Sequence, residues 1–569
     1  MRPMASAHSG PQPVMIQPRI KASPWVVLLV LTLGFFMILL DTTIVNIAIP
    51  DIEKSLNATF DQILWILNAY ILVYAVLLIT AGRMGDILGP KRLFITGLII
   101  FTLSSAACGL AQNPGQLILF RVIQGIGGAL LTPQTLSVIT TIFPPERRGA
   151  AFGIWGAVGG VAAVIGPTLG GFLVTTASWR AIFYINVPIG IIAVLAAVFL
   201  MPEIKSGRRH KLDIPGVLLA STGLFLGVFA LIEGQRFAWG AIFNFATFSV
   251  GPTIWAPISI YSLLLFSVLF LVAFVLVELR VSEPVLPLSL FRDRNYSITN
   301  CISAGVSYAM LSIFLPLTIF LQSILGFSAI HAGLTFVSMS LMALVVAPFA
   351  GRLTDKVNGK YVLMFGTGCF ALGLALLIAV LSLSATSWTF VIPMAIAGIG
   401  MGFTFAPMIT LAMRDVQPAM AGSASGFINT VRQVGQALGG AIGGAILGNA
   451  VASQLPIQAH DLASQVPGNF RERFVLTFNA MSRAPQSFGA GQSTGFTLPS
   501  SIPTQVRTEI LAAGKLVFSR AFLGGMHPSM IVAVGVLVST TIMATALRPG
   551  RTAAESSRPV AKSTAEAAS

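Results

Sequence analysis

Long apolar segments separated by short polar stretches make up most of the chain. Each segment contains roughly 18 residues or more, close to the length that an α-helix needs to cross a bilayer. Helices are the expected form, because backbone groups in lipid must satisfy their own hydrogen bonds. The pattern predicts fourteen membrane-spanning helices, at 25–49, 62–82, 93–111, 117–141, 150–174, 181–201, 214–232, 258–279, 298–321, 332–350, 361–382, 389–413, 422–449 and 526–547.

The composition also indicates a polytopic membrane protein. The 569 residues are 55% hydrophobic and 9% charged, with a mean hydropathy of +0.86, whereas soluble proteins carry about 25% charged residues. The net charge of +15 is spread over short clusters between apolar segments, so nucleic-acid binding is not expected. Cys108, Cys301 and Cys369 lie far apart and lack the spacing of a metal site or a disulfide framework.

The distribution of Lys and Arg predicts the orientation in the membrane. The short loops after odd-numbered spans contain only Lys54, Arg180 and Arg236. The loops after even-numbered spans contain Arg83, Lys91, Arg92, Arg147, Arg148, Lys205, Arg208, Arg209, Lys211, Arg280, Arg292, Arg294, Arg352, Lys356, Lys360 and Arg414. We therefore expect both termini to be cytoplasmic and the protein to lie in the plasma (inner) membrane, with the lipid bilayer as its surroundings.

The spans suggest a division of the chain into five parts. These are a cytoplasmic N-terminal segment (1–24), an N-terminal six-helix bundle (25–202), a two-helix insertion with flanking loops (203–297), a C-terminal six-helix bundle (298–548) and a cytoplasmic tail (549–569). The second bundle includes a long extracytoplasmic loop, 451–525. Its Gly, Ser, Pro and Gln content favours a partly disordered connector over a substrate-gating cap, and 470–476 and 503–522 are candidates for short interfacial helices.

Two loops share the pattern Gly-Arg-x-x-Asp followed by a further Gly and a basic residue. They span 82–92 after the second predicted helix and 351–360 after the tenth. Such a repeat is expected when two bundles rock about a central site. Charge bias alone explains Arg and Lys in these loops, but not the matched Gly and Asp. We interpret the loops as a conformational latch formed by Gly82, Arg83, Gly85, Asp86, Gly89, Arg92 and Asp355.

Asp41 is the strongest candidate for chemistry, because it lies inside the first apolar segment. An ionised carboxylate in that position costs a few kcal/mol or more. Burial disfavours its charged form, whereas a nearby cation favours that form. We therefore expect Asp41 to be protonatable, paired or facing a water-filled cavity, and to couple a proton to a substrate. The alternative is a hydrogen-bond partner in helix packing.

Arg121 lies a few residues inside the fourth span, in the same outer half of the membrane as Asp41. It shares a polar stripe with Gln124. Snorkelling to the outer surface is the alternative role, and the sequence does not by itself imply a direct pair between Asp41 and Arg121.

Arg432 lies about eleven residues into the thirteenth span, between Asn429 and Gln436 on one stripe. It either lines a cavity or pairs with carbonyl groups at the bundle interface. Without a partner it would repel cations. The candidate cavity residues are Gln124, Asn429, Arg432, Gln436 and Tyr70, although most aromatic residues are expected in the core.

The two repeated loops resemble those of the major facilitator superfamily. Four further stretches resemble its fourteen-span drug:proton antiporter family: 40–50, 121–127, 156–171 and 179–190. Pro90 departs from the family, which usually has Arg there, and the loop in the second half is the weaker copy. The resemblance implies two six-helix bundles with two additional helices between them, an all-α membrane fold.

The resemblance also implies several properties of the site. The coupling ion would be H⁺, with no cofactor and no metal, and Arg121 would assist proton transfer. Gly166, Pro167, Gly170 and Gly171 in the fifth span would bend that helix and control leak and the direction of exchange.

We expect a non-enzymatic, proton-coupled antiporter that exports small amphipathic or hydrophobic, often cationic, molecules. No Walker motif occurs, and the Gly-rich run 398–402 lies in a predicted span without a preceding strand. Export of an endogenous lipid or secondary metabolite by the same fold is an alternative, as is a membrane sensor or structural protein without transport. The sequence does not indicate whether an accessory protein takes part.

Overall fold

The computed structural model describes residues 22–204, 212–234, 236–242, 248–250, 253–255, 258–482 and 504–548. Within them the chain is almost entirely helical. The helices are α1 (Pro24–Leu56), α2 (Phe60–Leu88), α3 (Pro90–Leu110), α4 (Pro114–Ile142), α5 (Pro145–Thr176), α6 (Ala181–Tyr184), α7 (Asn186–Leu200), α8 (Ile214–Glu233), α9 (Ile260–Glu278), α10 (Arg294–Ile319), α11 (Ala329–Thr335), α12 (Val337–Lys356), α13 (Gly359–Val380), α14 (Val391–Met413), α15 (Ala421–Leu462), α16 (Arg471–Met481) and α17 (Thr504–Ala544).

Shorter elements connect some of these helices. Strands β1 (Phe248–Val250) and β2 (Thr253–Trp255) form an antiparallel hairpin between α8 and α9. A π-helical segment, Phe320–Ile324, follows α10. The 3₁₀ segments are Leu288–Arg292, Ser387–Phe390, Pro418–Met420, Ala463–Gln465 and Gly468–Phe470.

The predicted spans coincide with these helices. Among the described residues, 13 helical segments are long and apolar enough to cross a membrane, and α5, with 32 residues, occupies the position of the fifth predicted span. Each of the fourteen predicted segments falls on one helix or on consecutive helical segments. The prediction of an all-helical membrane architecture with about fourteen spans is thus confirmed.

Local sequence signals explain several helix ends. Thr59 and Gln62 form a capping box at the start of α2, in which each side chain accepts a hydrogen bond from the other's backbone N–H group. α2 ends at Leu88, and Gly89 follows with φ of +93°, a conformation that Gly tolerates better than other residues. Pro90 then begins α3, where its missing N–H group costs nothing.

The helices form two halves. In the first, α1 packs on α5 and α7, and α4 packs on α2 and α3. In the second, α15 packs on α10 and α17, and α14 packs on α12 and α13. The inserted helices α8 and α9 pack on each other, and α8 also contacts α2 and α15. The two halves meet where α2 packs against α15 and where α5 packs against α12.

One end of the molecule carries most of the basic loops. The start of α1 and the end of α4 meet there, with the Trp25 and Phe143 rings 4.9 Å apart. We call this end the basic face, because it carries Arg83, Lys91, Arg92, Arg148, Arg352 and Lys356.

At the opposite end, α15 and α17 continue beyond the expected membrane. They contain 42 and 41 residues, or about 63 and 61 Å of helix, roughly twice the thickness of a hydrocarbon core. We call 451–462 of α15, α16 and 504–525 of α17 the helical projection. Its interior is apolar and contains Val451, Leu455, Leu462, Phe474, Phe478, Ile510, Val517 and Phe522.

The predicted partly disordered connector at 451–525 is mainly helical over 451–482 and helical over 504–525, so disorder is wrong for these residues, whereas the candidate helix at 470–476 and the described part of the candidate at 503–522 do lie on α16 and α17. Apolar residues recur there at three- and four-residue spacing and form a core of their own. The Gly-, Ser- and Pro-rich stretch 483–503, which prompted the prediction, lies outside the described residues, as do the terminal segments up to residue 21 and from residue 549.

Candidate functional site

Asp41 lies on α1, fully buried, in an ion pair with Arg121 of α4. Nη1 of Arg121 donates a hydrogen bond to Oδ2 of Asp41 at 2.5 Å. Nε2 of Gln124 donates to Oδ1 at 2.8 Å, and Nη1 of Arg121 also donates to Oε1 of Gln124 at 2.8 Å. Arg121 and Gln124 lie about one turn apart on α4, so one helix supplies both groups that bind the carboxylate.

Asn186, the first residue of α7, completes this network. Its Nδ2 donates to Ser105 Oγ on α3 at 3.0 Å and, more weakly, to Asp41 Oδ1 at 3.4 Å. Its Oδ1 has no hydrogen-bond partner among the described residues. Asn186 was not among the predicted site residues, although an amide just inside an apolar span, within the stretch 179–190, was an available signal.

Tyr70 of α2 lies beneath the Arg121 guanidinium. The Cζ atom of Arg121 is 4.3 Å from the centre of the Tyr70 ring, and its Nε donates to the Ile66 carbonyl at 3.1 Å. Tyr70 stacks on Tyr74 with ring centres 5.9 Å apart. The Tyr70 hydroxyl is buried and has no partner in the described part of the chain.

Three predicted cavity residues are therefore buried in this structure. Gln124 and Tyr70 belong to the packed network around Asp41, and Asn429 donates to the Ser425 carbonyl of its own helix at 2.9 Å. Asp41 itself is buried and paired with Arg121, which is one of the three states expected from the sequence. Side chains of α2, α3, α4 and α7 meet at this site and shield the carboxylate from solvent in this conformation.

Glycines of α5 bring that helix against α1 directly after Asp41. A Cβ atom at Gly166 would lie 2.7 Å from Thr43 Cβ, and one at Gly170 would lie 2.8 Å from Ile44 Cγ1. Gly171 is buried. Pro167 lies within α5, but its side chain is outside the described residues, so the predicted bend stays a prediction.

Asp86 joins the two halves at the basic face. Its Oδ1 accepts a hydrogen bond from the Gly422 backbone N–H at 2.8 Å. Its Oδ2 accepts from both the backbone N–H and the hydroxyl of Ser423, each at 2.8 Å. α15 begins at Ala421, so these are free N–H groups of its first turn, where the helix dipole also favours an anion.

Asp355 makes the corresponding contact from the other half. Its carboxylate accepts from the backbone N–H groups of Gly149 at 2.9 Å and Ala150 at 3.1 Å, near the start of α5. The repeated loops thus hold each other's halves: an acid of the first half binds α15, and an acid of the second half binds α5.

Glycine pairs allow both contacts. A Cβ atom at Gly82 would lie 2.9 Å from the Gly422 carbonyl carbon, and one at Gly351 would lie 2.8 Å from that of Gly149. Gly85 leaves room for Gln134, since a Cβ atom there would lie 2.8 Å from its Cδ. Only backbone-to-backbone contact is close enough for the acids to reach the N–H groups.

The basic residues of the first loop do not take part in these hydrogen bonds between Asp86 or Asp355 and the opposite half. Arg83 is buried, and its Nε makes no hydrogen bond to a described residue. Arg92 is exposed beside a cavity of about 200 Å³. Lys91 instead holds α7, because its Nζ donates to the carbonyls of Val198 and Met201, each at 2.8 Å.

Arg432 lies about three turns into α15 and is partly exposed. Its Cζ is 5.3 Å from the centre of the Phe405 ring on α14, and its Nε has no hydrogen-bond partner among the described residues. Gln436, one turn further along, is also partly exposed. These two are the predicted cavity residues that the structure leaves accessible.

A family comparison decides the class of protein. Residues 31–440 match the sequence model of the Major Facilitator Superfamily. The chain belongs to the major facilitator superfamily. The relatives described below agree with this membership. Among the described residues, no three His, Cys, Asp or Glu side chains lie together in a group that could hold a metal ion.

Two curated relatives in the superfamily are named as exporters or resistance proteins. The chain is 35% identical to the probable actinorhodin transporter of Streptomyces coelicolor, over 80% of this chain and 78% of the relative. It is 30% identical to multidrug resistance protein 3 of Bacillus subtilis, over 91% of this chain and 95% of the relative. The crystal structure of the human organic anion transporter MFSD10 shares the fold, with a TM-score of 0.53 at 13% identity, covering 92% of this chain and all of that one.

Proposed function

We propose that this facilitator-superfamily protein is a proton-coupled antiporter that exports amphipathic or hydrophobic small molecules. The observation that carries the proposal is the buried pair of Asp41 and Arg121 inside a membrane span. An intramembrane carboxylate is costly to keep, which favours a functional role. The names of the relatives support small-molecule export, and that of the Streptomyces coelicolor relative favours a secondary metabolite as a second candidate substrate.

Protonation of Asp41 supplies the coupling step in this proposal. A neutral Asp41 no longer compensates the charge of Arg121, which is 1% exposed. Leaving one member of a buried ion pair without its partner typically costs about 3–5 kcal/mol. That cost would favour rearrangement to a conformation in which the guanidinium reaches water or another acceptor. A proton bound from one side would thereby change the relative stability of the conformations.

The latch at the basic face gives the proposal a direction. If the basic face is cytoplasmic, as the bias of Lys and Arg suggests, then Asp86 and Asp355 hold the cytoplasmic ends of the halves together. The interface between the halves would then be closed to the cytoplasm in this conformation. Both termini would be cytoplasmic in the plasma (inner) membrane, and no cofactor beyond the coupling proton would be needed.

Transport in inverted membrane vesicles tests the proposal. The vesicles would be tested with a panel of amphipathic dyes, lipids and aromatic metabolites. A proton gradient imposed across the membrane should drive accumulation of at least one of these compounds. Asp41→Asn should abolish this accumulation, whereas Glu53→Gln, which alters an exposed acid on the same helix, should retain it. Absence of gradient-driven flux for every compound would favour the sensor or structural role instead.

A further inference from the structure

Arg432 carries a charge that nothing else in the described chain neutralises. It makes no ion pair with a described residue, and its Nε lacks a hydrogen-bond partner there. A guanidinium in the middle of a membrane helix is costly unless it is paired or meets water. A buried polar atom without a hydrogen-bond partner needs an explanation, and binding of a ligand to that atom would provide it.

The position of Arg432 is where the two halves meet. Its guanidinium lies 5.3 Å from the centre of the Phe405 ring of α14, and α15, which carries it, packs against α2, the helix of Tyr74. Phe405 belongs to the second half and Tyr74 to the first. Gly156 of α5 also approaches this place, since a Cβ atom there would lie 3.6 Å from Phe405 Cβ. Arg432 therefore faces the region in which a transporter with two rocking halves holds its substrate.

The acids that could have balanced Arg432 are already engaged. Asp41 is enclosed by Arg121, Gln124 and Asn186. Asp86 and Asp355 bind backbone N–H groups at the basic face. Arg432 therefore stays a positive charge without an acidic partner among the described residues. Such a charge disfavours a cationic substrate beside it, because an unpaired guanidinium repels cations.

We infer that Arg432 binds an anionic group of the exported compound, a carboxylate, phenolate or sulfonate on an aromatic scaffold. Guanidinium binds such oxygens through two parallel hydrogen bonds. The Phe405 ring offers an aromatic surface beside it, and Gln436, one turn along α15, offers an amide. This inference rests on the proposed function, and it names the substrate class that the same path would accept.

The tyrosine pair connects this site with the proton site. Tyr74 stacks on Tyr70, and Tyr70 lies beneath Arg121. By charge alone, a proton at Asp41 and an anion at Arg432 would favour each other. Exchange of one for the other therefore requires that the proton and the anion stabilise different conformations of the two halves.

Binding of two related dyes to the purified protein in nanodiscs tests the inference. Fluorescein is an anion and rhodamine 6G a cation, and both contain a xanthene core. Wild-type protein should bind fluorescein more tightly. Arg432→Gln should weaken fluorescein binding about tenfold or more without weakening rhodamine 6G, and Arg432→Lys should fall between. Arg280→Gln, which removes an exposed charge, is the control and should match wild type.

Several results would overturn the inference. These are tighter binding of rhodamine 6G by wild type, binding of neither dye, or equal fluorescein affinity in wild type and Arg432→Gln. If Arg432→Gln fails to fold, the relative affinity of the wild-type protein for fluorescein and rhodamine 6G still tests the inference. The assay needs no proton gradient, so fluorescein selectivity without gradient-driven flux would refute only the proposed function. Flux of rhodamine 6G without anion selectivity would refute only this inference.

Discussion

Two hydrogen bonds join Asp86 to Ser423, one from the backbone N–H group and one from the hydroxyl, both at 2.8 Å. The residues lie 337 positions apart and belong to different halves of the molecule. A second acid, Asp355, makes the equivalent contact with the start of α5. The halves are thus held at one end by two carboxylates that accept hydrogen bonds from backbone N–H groups in the first two turns of a helix of the other half.

Replacing Asp86 by Asn should open the basic face. Asn keeps one acceptor oxygen but loses the charge that the first turn of α15 favours, and hydrogen bonds to charged groups are worth about 1.5–3 kcal/mol. We expect the ratio of open to closed molecules to rise about tenfold. Distances between spin labels at positions 92 and 356, with Cys301 and Cys369 replaced by Ser, would measure it.

Asp355→Asn should act in the same direction, because it weakens the second contact. Asp51→Asn changes an exposed acid at the opposite end of α1 and should leave the distances unaltered. Identical distance distributions in Asp86→Asn and wild type would show that the contact does not hold the halves together.

A methyl group at Gly82 should separate the same helices for a steric reason. The new Cβ atom would lie 2.9 Å from the Gly422 carbonyl carbon, and neither backbone can yield without moving its helix. Overpacking of this kind typically costs about 1–3 kcal/mol. Thermal unfolding in detergent should show a lower Tm. Gly535→Ala is the matched control, since nothing lies within 4 Å of a Cβ atom there.

The buried pair should behave non-additively in stability measurements. Asp41→Asn leaves the Arg121 charge uncompensated, and Arg121→Gln leaves the Asp41 charge uncompensated, so each should destabilise the protein by about 3–5 kcal/mol. The double variant removes both charges and should recover a large part of this loss. Tm values of the four proteins at neutral pH form the cycle. Additive losses would indicate that the two groups do not interact.

The helical projection should depend on its own apolar core. Phe474 and Phe478 pack edge to face with ring centres 5.0 Å apart. Phe474→Ala should destabilise the projection by about 3–5 kcal/mol, so that limited proteolysis cuts within it while the membrane helices remain intact. Leu476→Ala alters a residue of α16 that is 58% exposed and should not change the cleavage rate.

Hydropathy predicted the spans because lipid imposes length and composition on each helix separately. The cost of a buried charge also pointed to Asp41 and Arg121 without any structure. The partners of buried acids depend on how helices pack, and so the sequence did not reveal Asn186 of α7 as a partner of Asp41 or the backbone of Gly149 as a partner of Asp355. The projection was predicted only in part, since 470–476 and 503–522 were candidates for short helices, whereas the composition of 483–503 favoured a partly disordered connector over a packed helical unit.

The central claim is that Asp41 exchanges a proton for the exported compound, and direct detection of that proton tests it. Purified protein in weakly buffered detergent solution would be mixed with a transported compound while a pH-sensitive dye reports protons. We predict that the compound releases protons from wild-type protein and from Glu53→Gln, but not from Asp41→Asn. Undiminished release from a folded Asp41→Asn protein would contradict the account.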